Sequence, residues 1–199
     1  MATMNEQSGI SRPVSTSVER LTAFKGPDLH DLCDAAEAAI LQGGGFGWLK
    51  PPPRAMMETY WKGILLVPER DLYVARLDGT ICGSAQLLRP APQNEAGAAC
   101  GTLTTFFLAP WARGHGLALR LVETVEQGAT DLGLSVMLLD VRETQKRAIQ
   151  IYDQLGYQRW GSNPRYALID GEWMVGHYYS KDLLPGASRD GTGEQEMTE

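Results

Sequence analysis

The residues Pro110-Trp111-Ala112-Arg113-Gly114-His115-Gly116-Leu117-Ala118 have the make-up of an anion cradle. They follow the apolar run Leu103 to Leu108 and open an amphipathic pattern that reaches about Leu132. A strand is therefore expected to feed a glycine-rich loop, and the loop a helix N-terminus. The N–H groups of a first helical turn have no intrahelical partner, and the helix dipole favours negative charge there. Gly114 and Gly116 carry no Cβ, so a phosphate can come close to the main chain. Arg113 adds a permanent charge beside it. His115 lies inside the loop, where its backbone suffices for this role.

An ordinary strand-to-helix turn is the plainest reading of such a loop. A dinucleotide fingerprint gains some support from Asp140, which ends the next apolar stretch about where a ribose-binding acid would sit. It fails in detail: Ala109 to Arg113 separate the strand from the first glycine, and Leu119 occupies the place of the third. A nucleotide P-loop fails as well, because no Gly-Lys-Ser/Thr follows.

The spacing of Arg113, Gly116 three residues on and Ala118 two further resembles the pyrophosphate loop of the GNAT acyltransferase superfamily. A second stretch, Thr144 to Tyr157, resembles that superfamily's other coenzyme A motif: Ala148, Tyr152, Leu155, Gly156 and Tyr157 match by position. Gln145 stands where the family usually has Asn. Alone, Tyr152 would read as a core residue on an amphipathic face; with the glycine loop upstream it reads as part of a site. The resemblance implies acetyl-CoA as co-substrate and no metal. It implies that Phe107, Leu108, Arg113, Gly114, His115, Gly116, Leu117, Ala118, Gln145, Ala148 and Tyr152 hold that co-substrate. A backbone N–H at the end of the strand, that of Leu108, would polarise the thioester carbonyl. Tyr152 would protonate the departing thiolate.

Many relatives carry a Glu on the strand before the loop as a base. Here that region reads Gly101-Thr102-Leu103-Thr104-Thr105, without a carboxylate. Glu95, Asp140, Glu143 or a water chain are the substitutes, and the sequence does not rank them. The segments Gly43-Gly44-Gly45-Phe46-Gly47-Trp48, Tyr60-Trp61, Gly83-Ser84-Ala85-Gln86-Leu87 and Tyr166 to Leu183 look like the tabtoxin-resistance type of GNAT acetyltransferase. That likeness implies direct acetylation of the primary amine of a small molecule, with Phe46, Trp48 and Tyr60 lining the acceptor pocket. The missing carboxylate keeps a second reading open, a coenzyme A-binding sensor or partner module of the same fold with little catalysis. A homodimer is compatible with either.

These residues need elements to position them. Leu29, Leu32, Cys33, Ala36 and Ile40 recur at helical spacing, which predicts a helix over about 28–41. Met57, Tyr60, Trp61, Ile64 and Leu65 predict a second, starting near Arg54 behind Pro51-Pro52-Pro53. Leu72 to Leu77, Asp78-Gly79 and Ile81 to Leu88 read as a hairpin. Thr102 to Leu108 reads as a strand. Leu134 to Leu139 is apolar apart from Ser135 and is expected to be a central, parallel strand. Ala148 to Leu155 reads as a short helix ended by Gly156, after which Tyr157 begins a strand. Arg165 to Ile169, Asp170-Gly171 and Trp173 to Tyr179 form a closing hairpin. The fold class is α/β, a GNAT-like mixed, mostly antiparallel central sheet flanked by helices on both faces.

Length and charge set the frame. The 199 residues suit one domain with short tails. Residues 1–20 read as a flexible arm, 21–184 as the domain, and 185–199 as an acidic flexible tail. The net charge is −6, and the segment 186–199 supplies −3 of it, so the body is only mildly acidic. No basic stripe suggests nucleic acid. No apolar run reaches the roughly 18 residues of a membrane span. Cys33, Cys82 and Cys100 show no metal or disulfide spacing, and together with the absence of a signal pattern they suggest a reducing, cytoplasmic setting.

Overall fold

The structure is a computed structural model, which describes residues 13–44 and 46–184. Seven strands and four helices follow one another as β1 (Thr16–Leu21), α1 (Asp28–Leu41), α2 (Arg54–Ile64), β2 (Arg70–Leu77), β3 (Thr80–Leu88), β4 (Cys100–Leu108), α3 (Leu117–Asp131), β5 (Val136–Arg142), α4 (Lys146–Gln154), β6 (Gln158–Ile169) and β7 (Glu172–Asp182). The strands form one sheet in the order β1-β2-β3-β4-β5-β7-β6. The β1–β2, β2–β3, β5–β7 and β7–β6 ladders are antiparallel, and β4–β5 is parallel. The result is the expected mixed, mostly antiparallel sheet with flanking helices.

One compact unit holds the chain up to Leu88 together with Leu103–Val125. Here α1 buries Leu32, Cys33, Ala36 and Ile40, and α2 buries Met57, Trp61 and Ile64, the two apolar stripes that the spacing foretold. They pack with Leu72, Val74, Ile81 and Phe107 in a common core. Asp28 and Asp31 lie in the first turn of α1, where negative charge suits the dipole. Arg76 on β2 ties this helix start down, donating from Nη1 to Asp28 Oδ1 at 2.8 Å and from Nε to Glu19 Oε1 at 2.7 Å. The β2–β3 turn has Asp78 at φ 49° and Gly79 at φ 87°, the left-handed pair that a two-residue hairpin demands.

The other unit holds Arg89–Thr102 and the chain from Glu126 onward. Its core is Met137, Leu139, Tyr152, Tyr157 and Tyr179, all buried. Lys181 Nζ donates to Glu126 Oε2 at 2.6 Å, joining β7 to the last part of α3.

Three expectations need correction. Residues 16–20, assigned to the flexible arm, belong with Leu21 to an edge strand paired along β2 from Thr16↔Leu77 to Leu21↔Leu72. Only Leu21 among them is buried, so the segment lacks the apolar signal by which strands are found in sequence. The segment 134–139 is parallel to β4 but antiparallel to β7, and β5 runs on to Arg142 with alternating burial. The two strands expected after Gly156 are one, β6, whose ladder with β7 shifts register between Arg159 and Gly161 and between Asn163 and Ala167. Residues 1–12 of the expected arm, Gly45 and residues 185–199 of the expected tail lie outside the described residues.

Candidate active site

The β4–β5 ladder pairs Cys100 with Val136, Gly101 with Met137 and Thr102 with Leu138. Thr105, three residues on, takes φ 52° in the middle of a strand. A β-branched residue in the left-handed region is a genuine outlier, and such strain is typically held at functional sites. The end of β4 is instead drawn tightly toward β3: Ala109 N–H donates to Cys82 O at 2.7 Å. A Cβ on Gly83 would stand 2.6 Å from Phe107 O and 2.8 Å from Leu108 Cδ1, so only glycine admits this approach. Phe107 is buried and Leu108 half-buried.

A 3-10 turn, Pro110–Ala112, carries the chain from β4 into the glycine loop. Ala112 is buried and anchors it, while Trp111 is 51% exposed. Arg113, Gly114, His115 and Gly116 are all exposed. Gly114 has φ 87° and Gly116 φ 70°, and nothing lies within 4 Å of where either Cβ would be. Arg120 N–H donates to Gly116 O at 3.2 Å, which makes Gly116 the residue preceding the first turn of α3. The N–H groups of Leu117, Ala118 and Leu119 therefore precede the first intrahelical donor. The Leu117 side chain is fully buried and fixes the helix start. Arg113 donates from Nη1 to Gln42 Oε1 at 3.2 Å, which orients its guanidinium at the loop rim. The loop thus sets two left-handed glycines, a helix start and the Arg113 guanidinium around open space, features that suit an anion.

In the same unit Phe46, Trp48, Tyr60, Trp61 and Phe107 form one aromatic cluster. Phe46 stacks on Phe107 with ring centres 4.9 Å apart, and Tyr60 meets both Trp48 and Trp61 edge-on at 5.0 Å. Tyr60 OH receives a 3.4 Å hydrogen bond from the fully buried Gln86, whose Oε1 accepts from Arg70 at 2.8 Å. Gln86 and the buried Asp71 were not singled out as polar core residues, since β2 and β3 are buried on both faces and the sequence pattern there has no solvent side to set them against.

The second motif lies in the other unit. Gln145 precedes α4, Ala148 is half-buried on it, and Tyr152 is buried at 4% exposure. The Tyr152 ring meets Tyr157 edge-on at 5.6 Å and lies 6.2 Å from Tyr179. Burial pushes its phenol well above the ordinary tyrosine value, with the charge of Asp140 and then Tyr166 adding to the shift. The shift keeps the Tyr152 phenol in its neutral form and makes it a weaker acid than a free tyrosine. Of the substitute bases, Glu95 is exposed, and Glu143 is exposed with Lys146 at 3.7 Å. Asp140 accepts a hydrogen bond from Tyr166 OH. Tyr166 itself lies across β7, where a Cβ on Gly176 would stand 2.1 Å from its Cγ. An isolated glycine inside a strand pattern is the one sequence signal that pointed here.

Among the described residues no cluster of His, Cys, Asp and Glu has the arrangement of a metal site, and no helix is long and apolar enough to cross a membrane.

A mixed sheet of this order, with a glycine loop suited to a phosphate between β4 and α3, has the parts of a protein that holds a phosphorylated ligand. The model of the acetyltransferase (GNAT) family matches residues 34–157. An uncharacterized N-acetyltransferase from the hisH–hisA intergenic region of Azospirillum brasilense is 62% identical over 131 residues, 66% of this chain and 78% of that protein. The chain belongs to the GNAT acetyltransferase family. The N-acetyltransferase of Staphylococcus aureus Mu50 superposes with a TM-score of 0.72 at 16% identity, over 85% of this chain and 99% of its own. A phosphinothricin acetyltransferase of Sinorhizobium meliloti, solved with acetyl-CoA, gives a TM-score of 0.67 at 20% identity, over 90% and 94%.

Proposed function

We propose that the protein transfers an acetyl group from acetyl-CoA directly to the primary amine of a small molecule. The observation that carries this reading is the loop 113–118: two left-handed glycines around open space, a helix start with unused N–H groups, and Arg113 at the rim. That chemistry suits a pyrophosphate.

When bound, acetyl-CoA supplies an activated acetyl thioester. Arg113, Gly114, His115, Gly116, Leu117 and Ala118 hold its pyrophosphate, Arg113 through charge and the other five through backbone. The family resemblance assigns Phe107, Leu108, Gln145 and Ala148 to the rest of the molecule, with the Leu108 N–H as the donor for the carbonyl oxygen. Tyr152, protonated in its buried seat, gives its proton to the leaving sulfur. The likeness of 43–48, 60–61, 83–87 and 166–183 to the tabtoxin-resistance type supports a small-molecule acceptor. The aromatic cluster of Phe46, Trp48 and Tyr60 supports an acceptor pocket with an apolar wall.

The test is calorimetric titration with acetyl-CoA, with NADH as control. Micromolar binding that is lost in Gly116→Trp is the expected result. Gly133→Trp is the matched control, because Gly133 has φ 79° and equal open space but ends α3. No binding to the wild-type protein overturns the proposal. Binding without thiol release on an amine panel selects the sensor module instead.

A further inference from the structure

Asp140, unranked among the substitute bases in the sequence, is singled out by its surroundings. It stands on β5 opposite Tyr178 of β7. Tyr166 of β6 donates its hydroxyl to Asp140 Oδ2. The Tyr166 ring is seated on the bare backbone of Gly176 and meets Tyr178 edge-on at 6.3 Å. Trp160 lies against the other side of Tyr178 at 5.3 Å. Asp140 therefore projects from a wall of three aromatic rings, fixed by a hydrogen bond, and remains exposed. The charge of Asp140 is felt by the Tyr152 phenol, as is Tyr166. The ionisable groups around it are thus Tyr152 from α4, Tyr166 from β6, Tyr178 from β7 and Arg142 further along β5.

We infer that Asp140 is the general base that receives the proton of the acceptor's ammonium group, held in position by Tyr166. The inference rests on the proposed amine acetylation. A carboxylate framed by aromatic rings is also a suitable seat for an ammonium ion, because both the charge and the ring faces attract a cation. The step balances as follows. Asp140 takes one proton from the ammonium and passes it to solvent. The freed nitrogen bonds to the acetyl carbon, and the carbon–sulfur bond breaks. Tyr152 protonates the sulfur and recovers the second proton lost by the nitrogen. One amide, one thiol and one released proton result. Tyr166 acts only through Asp140 and is a positioning residue.

The experiment measures thiol release from acetyl-CoA with tryptamine, spermidine, L-lysine and phosphinothricin, and with water alone as acceptor. Asp140→Asn is expected to lower kcat/KM for the best amine by about 100-fold or more, the usual contribution of a positioned base. Its acetyl-CoA affinity should stay within about twofold by calorimetry. In the variant, kcat/KM should climb about tenfold per pH unit toward the amine's own pKa, since only free amine then reacts. Asp140→Glu should recover part of the loss, and Tyr166→Phe should lose about tenfold with a changed pH profile. Glu123→Gln, on an exposed residue of α3 outside this wall, should match the wild type. Full activity in Asp140→Asn, with an unchanged pH profile, overturns the assignment. So does a wild-type protein that binds acetyl-CoA yet releases no thiol with any acceptor. Failure to bind acetyl-CoA at all overturns the proposed function itself.

Discussion

Replacing Gly176 by Ala tests the wall behind Asp140 most directly. The added Cβ would stand 2.1 Å from Tyr166 Cγ, 2.3 Å from Cδ2 and 2.6 Å from Cβ. Non-bonded carbons rest at about 3.5–4.0 Å, so the overlap is well over an ångström. The clashing atoms include the base of the Tyr166 side chain, so a rotamer change at the ring end does not relieve it. Overpacking of this kind costs about 1–3 kcal/mol, and an overlap this deep belongs toward the upper end. A gain opposes it: Ala in a strand is favoured over Gly by about 0.5–1 kcal/mol. The net expectation is a loss of about 2 kcal/mol, or about 4–8 °C in Tm for a chain of this size. The assay is urea and thermal unfolding of four proteins: wild type, Gly176→Ala, Tyr166→Gly, which removes the Cβ at 2.6 Å together with the ring, and the double variant. With the ring removed, Gly176→Ala should be neutral or stabilising by up to about 1 kcal/mol, giving a coupling of about 2 kcal/mol or more between the two sites. Equal cost in both backgrounds would refute the reasoning, because the penalty would then come from the backbone and not from Tyr166.

Other outcomes follow from the same geometry. Tyr152→Phe should lower kcat by about 100-fold or more while leaving acetyl-CoA affinity nearly unchanged, which steady-state kinetics and calorimetry check together. Arg76→Ala should cost about 2–3 kcal/mol in urea unfolding, since it strips the buried Asp28 of its charged partner. The Arg76 hydrogen bond holds the Asp28 carboxyl below its ordinary 3.8. That pair therefore stabilises the fold above this value and is lost as pH falls through the depressed one, so the acid-side decline of stability should be shallower in Arg76→Ala. Thr105→Gly should be neutral or stabilising by about 1 kcal/mol, because φ 52° strains threonine; at an ordinary strand position the same change destabilises.

Periodicity made most of the fold legible. The stripes of α1 and α2 come straight from Leu32, Ile40, Met57 and Trp61, and the Asp78-Gly79 hairpin from its turn chemistry. The edge strand β1 escaped because Thr16 to Arg20 are mostly exposed and show no alternation of apolar residues. The left-handed Thr105 escaped because β-branched residues signal regular strand, and tertiary constraint overrode that preference. In the site, the loop was legible because glycine, arginine and a helix start act locally. Asp140 with Tyr166, and Gly83 with Phe107, join residues distant in sequence, and a single chain carries no record of such pairings beyond a glycine in an unexpected place.

The 3-10 turn that leads into the glycine loop has an optical consequence. Trp111 is 51% exposed there, whereas Trp61 is fully enclosed in the aromatic cluster. Water relaxes the excited state of the first and not of the second, so the chain carries a red-edge emitter beside its anion cradle and a blue-edge emitter in its interior. A ligand settling on the loop alters the colour and quenching of Trp111 and spares Trp61. Trp160 and Trp173 are exposed as well, so with those two replaced by Phe, occupancy of the cradle is readable in ordinary light, without a label and before any acceptor is known.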